Sequence, residues 1–162
     1  MLINIKLWLL ENYIMEGNCI FMDKFKEIRP IVLGLVKNDG KLLVSRFYDK
    51  QKNQEFFRCL GGGIEFLETS EDALKREFKE EINVSIKIGK YLGISENIFH
   101  YKGKDAHELV FFYEAYIDSK DYKEQYNVID DNSELEAIWI DIEKFKSNQF
   151  VLYPEQTVQY LF

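Results

Sequence analysis

Residues that cross-link or bend a chain are scarce in this sequence. Its 162 residues include two cysteines, two prolines and two histidines. Cys19 and Cys59 do not stand at a metal-ligand spacing, and so few cysteines exclude a disulfide scaffold. Reduced thiols and a cytoplasmic location are therefore expected. No internal repeat or low-complexity segment stands out.

Positive charge is also in short supply. The chain carries 21 Lys and Arg against 28 Asp and Glu, which gives a formal net charge of −7. A protein that binds nucleic acid nonspecifically usually presents a basic stripe, so no nucleic-acid partner is expected. A small anionic substrate stays compatible with this balance, because a bound metal ion supplies local positive charge.

Long apolar runs are missing as well. The most apolar stretch lies near the amino terminus and contains Ile5 and the run Leu7-Trp8-Leu9-Leu10. At about ten residues it is too short to span a bilayer. It also lacks the basic start and the small-residue cleavage site of a secretion signal. No membrane partner is therefore expected.

The composition shifts at Asp23, and we place residues 1–22 outside a domain of residues 23–162. Two interpretations of this amino-terminal extension are open. Either Met15 or Met22 is the true translation start, or the extension is an amphipathic segment that packs on the domain or on a second copy. The protein is expected to be a monomer or a homodimer.

What is present indicates one globular domain built on a mixed sheet. Apolar residues make up 46% of the chain and aromatic residues 15%, which is enough for a proper core. Apolar patterning predicts strands at 31–36, 41–48, 56–60, 84–93, 108–117 and 137–140, with a hairpin turn at Asn38-Asp39-Gly40. Helices are predicted at 141–147 and 154–162, and a long surface loop at 119–132.

The most informative stretch covers residues 61–84 and reads Gly-Gly-Gly-Ile-Glu-Phe-Leu-Glu-Thr-Ser-Glu-Asp-Ala-Leu-Lys-Arg-Glu-Phe-Lys-Glu-Glu-Ile-Asn-Val. Its second half predicts a helix over residues 69–82 that begins at an N-cap, either Thr69 or Ser70. The apolar side chains Leu74, Phe78 and Ile82 recur every four residues, so one face of this helix is expected to pack against the sheet.

A second face of the predicted helix is acidic. Glu77, Glu80 and Glu81 are three and four residues apart, so their carboxylates are expected to cluster. Like charges at these spacings weaken an isolated helix by roughly a few tenths of a kcal/mol per pair, and a divalent cation reverses this effect. Mg²⁺ binds carboxylate oxygens and substrate phosphates while it keeps several waters. The cluster thus points to phosphate chemistry, although most acidic helix faces are simply solvated.

The spacing of the surrounding residues separates these alternatives. Gly62 is followed after five residues by Glu68 and after seven more by Arg76, and then come Glu77, Phe78, Glu80, Glu81 and Val84. This order resembles the signature of the Nudix hydrolases at every defined position but one. The resemblance implies an α/β (α+β) fold, a Nudix-like αβα sandwich with a mixed β-sheet, from about residue 31 to the carboxyl terminus.

The one departure is Asn83, where the family pattern has a glycine just after the helix. Asn is the next most tolerant residue for the left-handed conformation that ends a helix, so a modest loss is expected. In many relatives a glycine also occupies the position of Leu67. The larger side chain is expected either to narrow the entrance of the loop or to stiffen it.

The resemblance implies roles for individual residues. Glu77, Glu80 and Glu81, together with the carbonyl of Gly62, are expected to hold Mg²⁺ or Mn²⁺. Glu80 and Glu81 are the first choices for direct coordination. Glu77 is either a ligand or the base that accepts a proton from the attacking water. Arg76 completes the catalytic group with Glu77 and Glu80.

Further residues are expected to support this group. The resemblance implies that Glu68 and Arg76 play supporting roles and hold the loop and the helix together. In several relatives an acid from a late loop supplies a ligand or base. The candidates here are Glu134 and Glu136, for which a plain exposed loop position is an equal alternative.

Members of the family generally hydrolyse nucleoside diphosphates linked to another moiety, so a small-molecule nucleotide substrate is implied. Several aromatic residues are candidates to stack on its base, although most aromatics in such a chain belong to the core: Phe47, Tyr48, Phe57, Phe99 and Tyr101. The alternative function is a Nudix-fold sensor that binds a nucleotide without cleaving it. The presence of all three helix glutamates favours the enzyme, because function is decided by the site and not by the fold.

Overall fold

The structure is a computed structural model that describes residues 27–50, 52–101, 103–130 and 133–162. The strands are β1 (Ile28–Asn38), β2 (Lys41–Asp49), β3 (Gln54–Arg58), β4 (Ile86–Tyr101), β5 (Lys104–Ile117), β6 (Gln125–Asp130) and β7 (Ser133–Asp141). The α-helices are α1 (Ser70–Ile82) and α2 (Ile142–Lys146), and 3₁₀ helices occupy Ser119–Asp121 and Glu155–Tyr160. The predicted extension of residues 1–22 lies outside the described residues.

The strands form one mixed sheet in the order β4-β5-β1-β2-β7-β6, with β3 paired to β2. The β1–β5 pair is parallel, whereas every other pair is antiparallel. β1 and β2 pair only next to their turn, at Lys37 with Leu42 and at Asn38 with Lys41. Beyond that point the two strands separate, and the edge of β1 is free to pair with another segment.

The alternation of side chains along β1 creates two cores. Val32 and Val36 face the first core, in which they are buried together with Leu74 and Phe78 of α1. Leu33 and Leu35 face the second core, which contains Phe145 of α2 and the carboxyl-terminal segment. Burial of each large apolar side chain contributes about 1.5–3 kcal/mol. The predicted αβα sandwich is therefore confirmed, with the helix 69–82 on one face of the sheet.

Residues 119–132 were predicted as a surface loop, and this prediction is wrong for Gln125–Asp130, which form β6. Tyr126 and Val128 are buried in the core beneath α1, while Gln125 and Asn127 are exposed. This two-residue alternation is enough to hold an edge strand against a helix. The polar residues on either side of β6 make this alternation hard to recognise in the sequence.

Other boundaries differ less from the prediction. β4 and β5 are longer than expected because their distal ends continue as a hairpin to the pair Tyr101 and Lys104. The carboxyl-terminal helix is a short 3₁₀ helix, Glu155–Tyr160. The longest helix, α1, has 13 residues, and none of the helices in the described ranges is long and apolar enough to cross a membrane.

Candidate active site

The glycine loop is held along the free edge of β1. The Val32 N–H donates to the Gly62 carbonyl at 2.9 Å, and the Gly34 N–H donates to the Leu60 carbonyl at 2.9 Å. These bonds end β3 two residues earlier than predicted, because the chain leaves β2 to follow β1. They fix the loop beside the strand on which α1 packs.

Both ends of α1 match the sequence prediction. The Thr69 hydroxyl accepts a hydrogen bond from the Asp72 N–H and so caps the amino-terminal turn. Asn83 adopts the left-handed conformation, with φ of 55° and ψ of 37°. This is the conformation that ends a helix and that asparagine adopts more readily than most residues other than glycine. Because both ends of the helix are defined, the positions of its glutamates relative to the glycine loop are fixed.

Arg76 connects the loop to the helix. Its guanidinium donates to both oxygens of Glu68 at 2.9 and 3.0 Å and to the Gly63 carbonyl at 2.8 Å. It also donates to Glu77 at 2.9 Å and to Glu80 at 3.0 Å. The hydrogen bonds from Arg76 lower the pKa of the Glu68 carboxyl, and those to Glu68 in turn raise the pKa of Arg76. The guanidinium is planar and its N–H donors form a fork, so Arg76 can contact all of these acceptors at the same time.

Glu77 and Glu81 lie against the glycine loop. A Cβ atom added at Gly62 would stand 2.5 Å from the Glu77 carboxyl carbon, so only glycine leaves room for this carboxylate. The Gly61 N–H donates to Glu81 Oε2 at 3.2 Å. The structure thus brings Gly62, Glu68, Arg76, Glu77, Glu80 and Glu81 together around one loop–helix unit, residues 61–83.

The donor chemistry of this unit fits a hard divalent cation. One guanidinium faces the three carboxylates of Glu68, Glu77 and Glu80, and Glu81 adds a fourth negative charge, so the unit keeps an excess of negative charge. Glu77 is only 16% exposed, whereas Glu80 is 61% exposed. Within the described ranges no three acidic, His or Cys side chains already converge as a metal site. Glu77 and Glu80 are instead hydrogen-bonded to Arg76.

The two late acids lie on a strand and not on a loop. Glu134 and Glu136 belong to β7, and only the backbone of Glu134 is described. Glu136 accepts hydrogen bonds from Arg46 at 2.9 Å and from Gln125 at 2.7 Å. These contacts tie Glu136 to β2 and β6. A role for either acid in metal binding stays a prediction.

A cavity of about 780 Å³ lies outside the loop–helix unit. Its walls come from β2, β3, β4, β7 and the segment after α2, and the helix glutamates do not line it. Of the predicted stacking candidates, Phe57 is buried in the core, whereas Phe47, Tyr48, Phe99 and Tyr101 line the cavity. Sequence reasoning missed Arg58, Asn97 and Tyr153, which are distant from one another along the chain.

Comparison with known proteins agrees with this fold. The family model of the NUDIX domain matches residues 27–161. An uncharacterized Nudix hydrolase from Nostoc sp. is 28% identical over 131 residues, which cover 78% of this chain and 64% of that protein. The chain therefore spans less than two thirds of the length of this curated relative.

Solved structures share the fold at low sequence identity. A NUDIX hydrolase from Nitrosomonas europaea has a TM-score of 0.59 at 17% identity, with 82% of this chain and 85% of that chain covered. A MutT protein from Methanosarcina mazei Go1 has a TM-score of 0.58 at 20% identity, with 85% and 94% covered. The fold and the loop–helix unit define a Nudix domain. The chain belongs to the Nudix hydrolase family.

Proposed function

We propose that this protein is a metal-dependent hydrolase that cleaves a pyrophosphate bond in a nucleoside diphosphate linked to another moiety. The supporting observation is the loop–helix unit, in which Glu77 lies against Gly62, Glu81 contacts Gly61 and Glu80 contacts Arg76. Nudix hydrolases generally need a divalent metal, and we propose Mg²⁺ or Mn²⁺ here because the donors are all oxygen atoms. The substrate is a small-molecule nucleotide.

The excess of negative charge in this unit supports metal binding. Repulsion among the four carboxylates is only partly offset by Arg76, so a bound cation stabilises the folded site. In our proposal Glu77, Glu80, Glu81 and the Gly62 carbonyl would hold the ion. A divalent ion at such a site neutralises charge on the phosphoryl oxygens and lowers the pKa of a bound water.

The protein residues have distinct tasks in this proposal. Glu77, the less exposed carboxylate, serves as a ligand or accepts the proton of the attacking water. Glu68 and Arg76 keep the loop and the helix at a fixed separation, since Arg76 bonds to both. Two further proposals concern the setting: a cytoplasmic protein, supported by its two cysteines, and a monomer or homodimer.

The test is hydrolysis of a substrate panel with Mg²⁺, with Mn²⁺ and with a chelator. The panel contains nucleoside triphosphates, ADP-ribose, nucleotide sugars and dinucleoside polyphosphates, and phosphate or pyrophosphate release is measured. We expect metal-dependent turnover that is lost in Glu80→Gln and Glu81→Gln. Glu71→Gln is the matched control, because Glu71 is an exposed residue in the first turn of the same helix.

Two outcomes would contradict the proposal. Turnover that survives both substitutions would place the chemistry at another site. Tight nucleotide binding without turnover across the whole panel would instead support the Nudix-fold sensor.

A further inference from the structure

We propose that the amino-terminal extension, residues 1–22, covers an apolar patch on the sheet of the same molecule. The patch, which we call the open patch, combines side chains of three neighbouring strands: Ile28, Ile94, Ile98 and Phe111. The apolar cluster of the extension, residues 5–10, is the segment that packs on it. The partner of this surface is therefore a part of the same chain.

The members of the open patch lie on one face of the sheet. The strand register places Ile28 beside His107 and His107 beside Ile98. It also places Phe111 beside Ile94. Because side chains alternate along a strand, His107 and Phe111 point to the same face. Phe111 packs against the core cluster beneath α1, so the open patch continues this core beyond the area that the helix covers.

The open patch is exposed in the part of the chain that the structure describes. Ile28 is 53% exposed, Ile94 48% and Ile98 70%. On the same face of β1, Val32 is 0% exposed. Single exposed apolar side chains are normal, whereas several that share one face mark an interaction surface. A segment that covers these isoleucines gains the apolar burial that α1 does not provide.

The described chain begins at the border of the open patch. Its first residue is Glu27, and the next residue, Ile28, is a member of the patch. Residues 11–26 connect the apolar cluster to Glu27 and can reach about 50 Å when extended. Across two strands Ile28 and Ile98 are about 10 Å apart, and Ile94 lies about 13 Å further along β4. The connection therefore reaches every member of the patch.

The composition of the extension matches this surface. Its apolar run Leu7-Trp8-Leu9-Leu10 follows Ile5 and Lys6, and Lys6 is the single cation among residues 1–22. On the sheet, Glu96 lies on the patch face of β4, and its side chain is 61% exposed. An apolar segment that carries one cation thus meets an apolar surface that carries one exposed acid. The exposed ion pair adds little affinity, but it favours one direction of docking.

The small size of the open patch favours its own chain over a separate partner. A stable complex between two chains buries roughly 800 Å² on each side, from about 20–30 residues. The patch offers only a few side chains. A covalently attached segment is present at an effective concentration in the millimolar range, so a small contact is sufficient to hold it.

Tryptophan fluorescence tests this docking in the chain of 162 residues. The two tryptophans are Trp8 and Trp139, and the substitution Trp139→Phe leaves Trp8 as the reporter. We expect acrylamide to quench Trp8 several-fold less in the folded protein than in urea, with emission at a shorter wavelength. Ile94→Glu and Ile28→Glu are each expected to raise quenching close to the value in urea, because burying a carboxylate under an apolar segment is unfavourable.

Ile129→Glu is the matched control. Ile129 is 72% exposed and lies on β6, at the opposite edge of the sheet from β4, so this substitution is expected to leave Trp8 protected. Circular dichroism confirms the fold of each variant. If Trp139→Phe does not fold, hydrogen exchange of residues 5–10 in the chain that retains Trp139 gives the same readout.

Three results would overturn the proposal. Equal quenching of Trp8 in folded and unfolded protein would show that the extension is not covered. Protection that survives in folded Ile94→Glu and Ile28→Glu variants would place the extension on another surface. Protection that is lost on dilution would make a second copy of the chain the partner. None of these results depends on hydrolysis, so docking and the proposed function are tested independently.

Discussion

The loop–helix unit and the cavity differ in physical character. The unit is one continuous stretch of residues 61–83, rich in carboxylates, with Arg76 as the cation that contacts three of them. The cavity is assembled from several strands and a carboxyl-terminal segment, its charges balance, and its walls are aromatic. Ion pairs between carboxylates and one guanidinium characterise the first region, and aromatic packing characterises the second.

Under the proposed function, we expect the two regions to respond differently to substitution. A cluster of carboxylates binds a cation, so substitutions there are expected to act on the chemical step. Substitutions in the charge-balanced aromatic cavity are expected to act mainly on KM. Four predictions test this comparison, beginning with the largest effect.

Substituting an acid in each region gives the sharpest contrast. We expect Glu80→Gln to lower kcat by about 100-fold or more, the usual scale for loss of one electrostatic group at a reacting centre. Glu136→Gln is expected to cost much less and mainly to raise KM, because Glu136 binds Arg46 at the cavity. Steady-state kinetics measures both. An equal loss of kcat in Glu136→Gln would make this acid part of the metal site.

Substitution of Gly62 tests how closely the glycine loop and α1 approach each other. We expect Gly62→Ala to displace the Glu77 carboxylate, since the new Cβ would lie 2.5 Å from its carbon, and to lower kcat by about tenfold or more. Gly63→Ala is the control, because no atom lies within 4 Å of a Cβ there. Similar kcat values for the two variants would show that the Glu77 carboxylate can be displaced without loss of activity.

Cys59 lies in the sequence between Arg58 of the cavity and Gly61 of the loop–helix unit. The pH dependence of the free energy of unfolding tests how tightly the protein packs around its thiol. Burial raises its pKa from 9.0 to about 12, against a smaller lowering by Arg58 and Lys37. Above pH 9 the unfolded chain loses the thiol proton while the folded chain keeps it, so the free energy of unfolding falls as pH rises.

The expected decrease from this thiol between pH 8 and pH 10 is about 1.4 kcal/mol. Urea unfolding at the two pH values measures it, and Cys59→Ala is the control because it removes the titrating group. A wild-type decrease no larger than that of Cys59→Ala would mean that the thiol is accessible to water in the folded state.

The smallest expected effect concerns Leu67. The φ angle of Leu67 is 69°, so its backbone is in the strained left-handed conformation. Its side chain is 91% exposed and therefore gains little packing energy that would offset this strain. We expect Leu67→Gly to stabilise the protein by about 0.5 kcal/mol, the balance of relieved strain and added chain entropy. Phe66→Gly, equally exposed at 92%, is expected to destabilise instead. Thermal unfolding of both variants checks this; the opposite order would contradict it.

Local patterns made the loop–helix unit predictable. The N-cap at Thr69, the apolar repeat at Leu74 and Phe78, and the end of the helix at Asn83 all follow from interactions within a few residues, and the structure confirms them. The hairpin at residues 38–40 is confirmed for the same reason. β6 was missed because its two buried side chains, Tyr126 and Val128, gain their burial from α1, which is distant in the chain.

The sequence by itself determined the family, through the spacing of its motif, and with that resemblance the αβα sandwich. It also determined the position of the acids on one helix, because periodicity and capping are local properties. Only the tertiary structure decided that Arg76 holds Glu68, Glu77 and Glu80 together. It also decided that Arg58, Asn97 and Glu108 meet at a cavity wall. These contacts join β3, β4 and β5, and the register between strands is set by packing of the whole sheet, which no short stretch of sequence encodes.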